Sequence, residues 1–253
     1  MSRNAFSKRV AMEKFLKVSI ILVLLIFQSN TIKSQACESS PCTDKGDRNI
    51  IGKLKNDKII SSLEGKGKPE NFKYWSTSLL KAGGIPPKIK KDDLGYGGID
   101  YEKWSCQYSA YAANDNNTKT AWSEGVPGDG IGEIVIVQVD VDKPVKIWPG
   151  FGKSKELYYS NNRPREIEVY IPQASGAAAN RCCKVFHDIC LIGKGKVLLK
   201  DINGYQDLPL PNYEYLSSSE GEVKTSNTFL AIEILSVYKG SKFQYTLITE
   251  VSN

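Results

Sequence analysis

The sequence predicts an all-β protein, an antiparallel sandwich or barrel over residues 96–253. Three observations carry that expectation. From about Gly95 the chain becomes a series of short apolar–polar alternations separated by Gly, Pro, Asn and Asp. No strand–helix–strand rhythm accompanies them, which removes Rossmann and TIM-barrel architectures. Hydrophobic residues at 41% and charged residues at 25% are ordinary globular usage, so wholesale disorder is excluded.

The elements follow in order. Residues 133–141 (EIVIVQVDV) alternate and put Val135, Val137, Val139 and Val141 on one face. Residues 165–171 (REIEVYI) do the same with Ile167, Val169 and Ile171. Residues 196–199, 207–210, 229–237 and 245–251 are further strands. Gly128, Gly130 and Gly132 precede a strand rather than a helix, so they read as a tight loop and not as a phosphate cradle.

The N-terminal part has another character. Residues 1–36 read as a secretory signal peptide: a basic stretch ending at Lys17, an apolar run over 18–27 (VSIILVLLIF), and small residues at Ser34 and Ala36. That run is too short for a stable span, which takes about 20 residues. An uncleaved anchor, a lipidated Cys37 and a start at Met12 are the alternatives. No comparable run follows, so no membrane span is expected after cleavage. Residues 37–95 are rich in Lys, Gly, Ser and Asp and read as a partly ordered N-terminal extension packing on the main domain. Within it, 72–81 (FKYWSTSLLK) predicts one short helix stopped by Gly83 and Gly84. Lys88, Lys90 and Lys91 read as a solvated linker, since Asp92 and Asp93 follow them.

Charge narrows the partners. The net charge is +6, but residues 1–36 hold six of the 34 basic residues and one of the 28 acidic ones. The remainder carries a net of +1, against a nucleic-acid partner. Six cysteines (Cys37, Cys42, Cys106, Cys182, Cys183, Cys190) in an oxidising compartment read as disulfides, with the pairing open. The single histidine, His187, excludes a His-rich zinc site and reads as a structural strand residue.

Three segments together carry a resemblance. They are 114–122 (NDNNTKTAW) with 124–133 (EGVPGDGIGE), 150–165 (GFGKSKELYYSNNRPR), and 229–251 (FLAIEILSVYKGSKFQYTLITEV). Over 104–253 the chain resembles the discoidin-type, galactose-binding-like jelly roll, and most closely its bacterial branch, the NADase-type glycan-binding domain. The resemblance implies an eight-stranded jelly roll that binds a glycan or glycoconjugate through rim loops. The branch is named for NAD-glycohydrolase toxins in which such a domain precedes the catalytic one. The short stretch before this domain leaves no room for an NADase domain, so a non-catalytic module is expected.

Asp115, Asn117 and Thr120 put oxygen-bearing side chains in one loop, which suits a hard cation. The resemblance adds Glu250 near the last strand and implies a structural calcium at Asp115, Asn117, Thr120 and Glu250. The alternative is an Asx turn closed by its own side chains. The family often has Gly after the Asp, where this chain has Asn116. Trp122 reads as core. Trp148, Tyr158, Tyr159, Asn161, Arg163, Arg165 and Tyr205 combine aromatic faces with planar donors and are the candidate glycan-binding residues. Asp140 and Asp142 read as a solvated strand face, and no catalytic residue is assigned. The expected protein is a secreted or periplasmic, cell-surface, non-catalytic carbohydrate-binding protein. The alternative is an adhesion module for a cell-surface protein.

Overall fold

Val135, Val137, Val139 and Val141 all enter the main apolar core, as do Ile167, Val169 and Ile171. The alternation read from the sequence is therefore the alternation of the sheets. The structure is a computed structural model, describing residues 60–64, 75–88, 98–179, 184–218, 221–222 and 227–253. The leader, Cys37, Cys42, Cys182, Cys183, Lys90, Lys91 and residues 72–74 of the expected helix lie outside these.

The strands are β1 (Ile60–Glu64), β2 (Trp75–Ser76), β3 (Trp122–Ser123), β4 (Ile134–Gln138), β5 (Lys146–Pro149), β6 (Arg163–Ala179), β7 (Lys184–Leu198), β8 (Gln206–Asp207), β9 (Ser217–Ser218), β10 (Gly221–Glu222), β11 (Phe229–Tyr238) and β12 (Leu247–Ser252). Among the described residues, one sheet runs β1-β7-β6-β11-β4-β2 and the other β3-β12-β5-β8, with β9 and β10 pairing separately. Neighbouring strands in these sheets pair antiparallel. The result is an all-β sandwich.

Two apolar layers hold it. Val135, Val137, Ile167, Val169, Leu230, Ile232 and Ile234 of the larger sheet meet Trp122, Ile147, Ile248 and Val251 of the smaller one. Trp122 is fully buried there, in keeping with a core role. The opposite face of the larger sheet carries its own buried cluster, including Ile134, Ile136, Tyr170, Phe186 and Phe229. β4 is thus buried on both faces, which is why its sequence reads as an unbroken IVIV.

The strand count exceeds the eight expected, partly because the stretch before residue 96 supplies two strands of the larger sheet. β1 pairs with β7 and β2 with β4. The Trp75 ring packs edge-on against Phe186 and Phe229, with centroids 6.1 and 5.5 Å away. The expected helix over 72–81 is absent among its described residues: Trp75–Ser76 is strand and 77–81 is irregular. The reason is tertiary. Thr77 N–H donates to the Ile134 carbonyl and Leu80 N–H to the Ser123 carbonyl, both at 2.9 Å, instead of to carbonyls four residues back. The Ser78 carbonyl accepts the Trp122 indole N–H at 3.0 Å.

Other differences are local. The strand expected at 207–210 ends at Asp207, because Pro209 and Pro211 lack the N–H that a ladder needs. Residues 165–171 and 196–199 prove to be parts of one long hairpin, β6–β7, with a register shift between Ile171 and Pro172. The tight loop of Gly128, Gly130 and Gly132 precedes β4, all three with positive φ. Two helices were not foreseen: α1 (Gly98–Ser105) and α2 (Lys155–Ser160). Ser154 caps α2 by accepting the Leu157 N–H at 3.1 Å. Asp140 and Asp142 lie in the turn after β4. Asp140 pairs with Lys143, and Asp142 accepts the Tyr213 and Tyr215 hydroxyls. Cys190 is a free thiol, so the pairing of all six cysteines that their number allows is not realised there. Among the described residues no helix is long and apolar enough to cross a membrane.

Candidate functional site

The loop from Asn114 to Thr120 joins a 3₁₀ turn (Ala110–Ala113) to β3. Asn114 fastens it to the last strand by donating from Nδ2 to the Val251 carbonyl. Asp115 Oδ1 accepts the Asn117 N–H at 2.9 Å, the side-chain bond of an Asx turn. That turn puts Asn116 at φ 58°, in the left-handed region. Asparagine is among the few non-glycine residues that tolerate this, so Asn116 takes the position where the resemblance leads one to expect Gly.

Thr120 Oγ1 lies 3.0 and 2.8 Å from the two Asp115 carboxylate oxygens and 2.7 Å from the Asn117 carbonyl oxygen. A hydroxyl has one proton to give, so three acceptors crowd one donor. Glu250 faces this crowd from β12. It is 0% exposed, and neither carboxylate oxygen has a hydrogen-bond partner. The backbone N–H groups of Asn117, Asn116 and Asp115 draw its charge but none reaches bonding geometry. Burial, and then the Asp115 charge, push the Glu250 carboxyl up to about 7. Burial also raises Asp115.

An orphaned buried carboxylate beside a second carboxylate, a hydroxyl and a carbonyl is what a hard cation needs. The residues present fit calcium. Among the described residues no three His, Cys, Asp or Glu side chains gather at one point. Most of the shell would therefore be hydroxyl, carbonyl and water oxygens.

Trp148 stands next to this loop. It is the cross-strand partner of Glu250 on β5, so both side chains leave the sheet on one face. Its indole N–H donates to Asn203 Oδ1 at 3.1 Å, and the Tyr205 ring meets it edge-on at 5.2 Å. Trp148 is half-buried and Tyr205 is 43% exposed. The Tyr205 phenol is raised by burial and then by the Glu250 charge, with Asp115 and Ser252 also in reach. Gly152 makes room for the indole: a Cβ there would lie 2.6 Å from its ring.

The other expected glycan residues divide. Tyr158, Asn161 and Arg163 are buried, with their polar atoms engaged inside the protein. Arg163 donates from Nε to Asp201 Oδ1 at 3.0 Å and from Nη2 to Oδ2 at 2.6 Å, and from Nη1 to the Asn161 and Lys239 carbonyls. The Tyr158 hydroxyl donates to the same Asp201 at 3.1 Å. Burial works against the Asp201 charge, but the Arg163 guanidinium outweighs it and holds the carboxyl below its usual range. Gly150 at φ 81° permits this, since a Cβ there would lie 2.4 Å from Arg163 Cγ. Tyr159 and Arg165 keep exposed surface, Arg165 over the Tyr238 ring at 5.8 Å. Trp148, Tyr205, Tyr159 and Arg165 are thus the candidates with surface to offer, and only Trp148 and Tyr205 touch each other.

Sequence reading missed Asp201 and Asn203, which position Arg163 and Trp148 from one loop across 38 and 55 residues. It also missed Glu124, fully buried, which accepts the Val126 and Thr246 N–H groups at 2.8 and 3.1 Å. Burial pushes its carboxyl up to about 7. Separation along the chain hides all three.

The family described as NAD glycohydrolase translocation F5/8 type C domain matches residues 100–253, more than half of the chain. No curated protein matches. Among solved structures, arabinofuranosyltransferase AftD from Mycobacteria is 14% identical, with 77% of this chain and 11% of that chain covered and a TM-score of 0.35. A Ruminococcus gnavus GH29 fucosidase in complex with fucose is 8% identical, with 70% and 24% covered and a TM-score of 0.25. This chain therefore spans a small part of either protein.

Proposed function

The chain belongs to the family of NAD glycohydrolase translocation F5/8 type C domains, and on that premise we propose that it is an exported, non-catalytic carbohydrate-binding module stabilised by calcium. The observation that carries the proposal is the Trp148–Tyr205 corner beside the Asp115–Glu250 pair. An exposed aromatic corner covers the apolar C–H face of a sugar ring, and the Asn203 amide nitrogen, whose oxygen holds the indole, stands by to meet sugar hydroxyls.

The non-catalytic reading has two supports. The matched family is a translocation domain, not the glycohydrolase part. Glu250, the carboxylate paired with Asp115, is closed off from any substrate. Export is supported by the leader pattern of residues 1–36 and by Cys106, which carries a disulfide bond, a modification of oxidising compartments. Calcium is supported by the orphaned Glu250 oxygens. When bound, it would supply the positive charge that the carboxylate pair lacks.

The test is a glycan array probed with the full chain, once with calcium and once with EDTA. We expect selective binding to related sugars, weakened by EDTA and lost in Trp148→Ala. A blank array from folded protein would overturn the carbohydrate reading and leave a cell-surface protein as the partner to seek by pull-down.

A further inference from the structure

Around Arg163 a second surface takes shape that shares no residue with the Trp148 corner. The buried guanidinium carbon lies 5.6 Å from the centre of the Tyr159 ring and 6.0 Å from that of Tyr238. The exposed Arg165 guanidinium lies 5.8 Å from the centre of the same Tyr238 ring. Rings and guanidinium groups thus alternate from Tyr159 to Arg165, with each cation held against a π-face. A further pair adjoins them: the Lys242 ammonium stands 5.2 Å from the centre of the Phe243 ring.

The backbone fixes these side chains in place. Tyr238 is the cross-strand partner of Arg163, and its hydroxyl donates to the Leu199 carbonyl at 3.0 Å. The Leu199 N–H in turn donates to the Arg165 carbonyl at 2.7 Å. The loop after β11 is seated on the end of α2. There Ser241 N–H donates to the Tyr159 carbonyl at 2.9 Å, and Lys242 and Phe243 N–H donate to the Ser160 carbonyl at 3.1 and 2.8 Å. Gly240 allows the close approach, since a Cβ there would lie 2.4 Å from the Asn161 carbonyl carbon.

Charge is unbalanced on this surface. Asp201 is engaged by Arg163, and Asp129 by Lys239. Among the described residues neither Arg165 nor Lys242 has a carboxylate within ion-pair distance. The chain past residue 36 is nearly neutral, so this positive corner is a local feature and not a consequence of composition. Tyr159 and Phe243 are 44% and 39% exposed. Rings seated that deeply suit a ligand lying along the surface better than insertion into a bilayer.

We propose that Arg165, Lys242 and the Tyr159, Tyr238 and Phe243 rings form a site for acidic sugars. The cations meet sulfate or carboxylate groups, and the rings cover the apolar C–H faces of the sugars that bear them. The planar guanidinium fork of Arg165 suits two oxygens of one such group. The site extends the carbohydrate reading to charged sugars and stands or falls apart from the Trp148 corner.

The probes are dextran, carboxymethyl dextran and dextran sulfate, which share one backbone, with phosphatidylcholine–phosphatidylserine vesicles alongside. Binding of the full chain is followed by biolayer interferometry, with far-UV circular dichroism confirming the fold of each variant. Wild type should bind a charged dextran and not dextran itself, and the stronger of the two charged forms identifies the group recognised. Arg165→Gln should weaken that binding about tenfold, as loss of a charge-assisted hydrogen bond does. Lys242→Gln, an exposed point charge, should weaken it about threefold. Arg165→Lys keeps the charge but loses the fork, and should bind more weakly than wild type. Lys103→Gln on α1 and Trp148→Ala should bind charged dextran as wild type does. A neutral-glycan array lost in Trp148→Ala, or blank altogether, leaves this site standing. Equal binding by Arg165→Gln and wild type overturns it, as does a loss in Lys103→Gln or Trp148→Ala as large as that in Arg165→Gln. Binding to the vesicles but to neither charged dextran also overturns it and assigns the surface to lipid.

Discussion

Arg163 and Asp201 form a two-point ion pair 38 residues apart, with Nε to Oδ1 at 3.0 Å and Nη2 to Oδ2 at 2.6 Å. The guanidinium is nearly inaccessible, while the carboxylate side chain keeps 31% exposure. Removing Asp201 therefore strands a buried cation. Losing one partner of a fully buried pair costs about 3–5 kcal/mol; partial solvent access at Asp201 lowers this to about 2–3 kcal/mol for Asp201→Asn. Urea denaturation measures it, and an unchanged midpoint would contradict the role given to Asp201.

Stability should depend on pH in an unusual direction. Burial raises Glu250 and Glu124 from 4.5 to about 7. A carboxyl whose folded pKa is raised stabilises the fold in its neutral form. That contribution is complete below the unfolded value of 4.5 and is lost as pH rises through about 7. In EDTA the melting temperature should fall as pH is raised across this window, and Glu250→Gln should flatten part of the fall.

Calcium should reverse that loss. Its stabilisation should be large once Glu250 is ionised and small where the group is neutral. Melting curves with and without calcium, above and below neutrality, measure it. Asp115→Asn and Glu250→Gln should each abolish the calcium-dependent gain. A gain that survives both variants would place calcium elsewhere.

Ligand binding should follow the aromatic corner and not the buried ring. Tyr205→Ala should weaken glycan binding about tenfold, 1.4 kcal/mol, with little change in melting temperature. Gly152→Ala should act indirectly, since its Cβ would lie 2.6 Å from the Trp148 ring and force it aside. Overpacking of this kind costs about 1–3 kcal/mol. Glycan binding by Gly152→Ala at wild-type strength would argue against Trp148 as the platform.

A chain shortened to begin at residue 96 should fold poorly. It would lose the Trp75 ring against Phe186 and Phe229, and the Ser78 carbonyl that accepts the buried Trp122 indole N–H. An indole N–H stranded in the core costs about 1–3 kcal/mol by itself. Cooperative melting of the shortened chain, at the temperature of the full one, would assign the segment before residue 96 a dispensable role.

Much was legible in the sequence because it is local. Alternating valines and isoleucines in β4 and β6 announce their faces through the two-residue period of a strand, and the core uses those faces. The DNNTKT loop announces itself because an Asx turn is written within a few residues. The segment resemblance pointed to the family that the chain belongs to.

Tertiary structure decided the rest. FKYWSTSLLK has helix-forming residues, yet Trp75 and Thr77 find better partners in Phe186, Phe229 and Ile134 than a short helix could offer. Tyr158, Asn161, Arg163, Tyr159 and Arg165 read alike in sequence. The structure buries the first three around Asp201 and leaves the last two exposed, because Gly150 opens space for Arg163 and only the fold brings Asp201 to fill it. The sequence by itself determined which residues alternate, turn and bear oxygen. Only the tertiary structure decided which of them meet. Periodicity is a property of neighbours in the chain, whereas burial, pairing and an orphaned carboxylate at Glu250 arise between residues the chain keeps far apart.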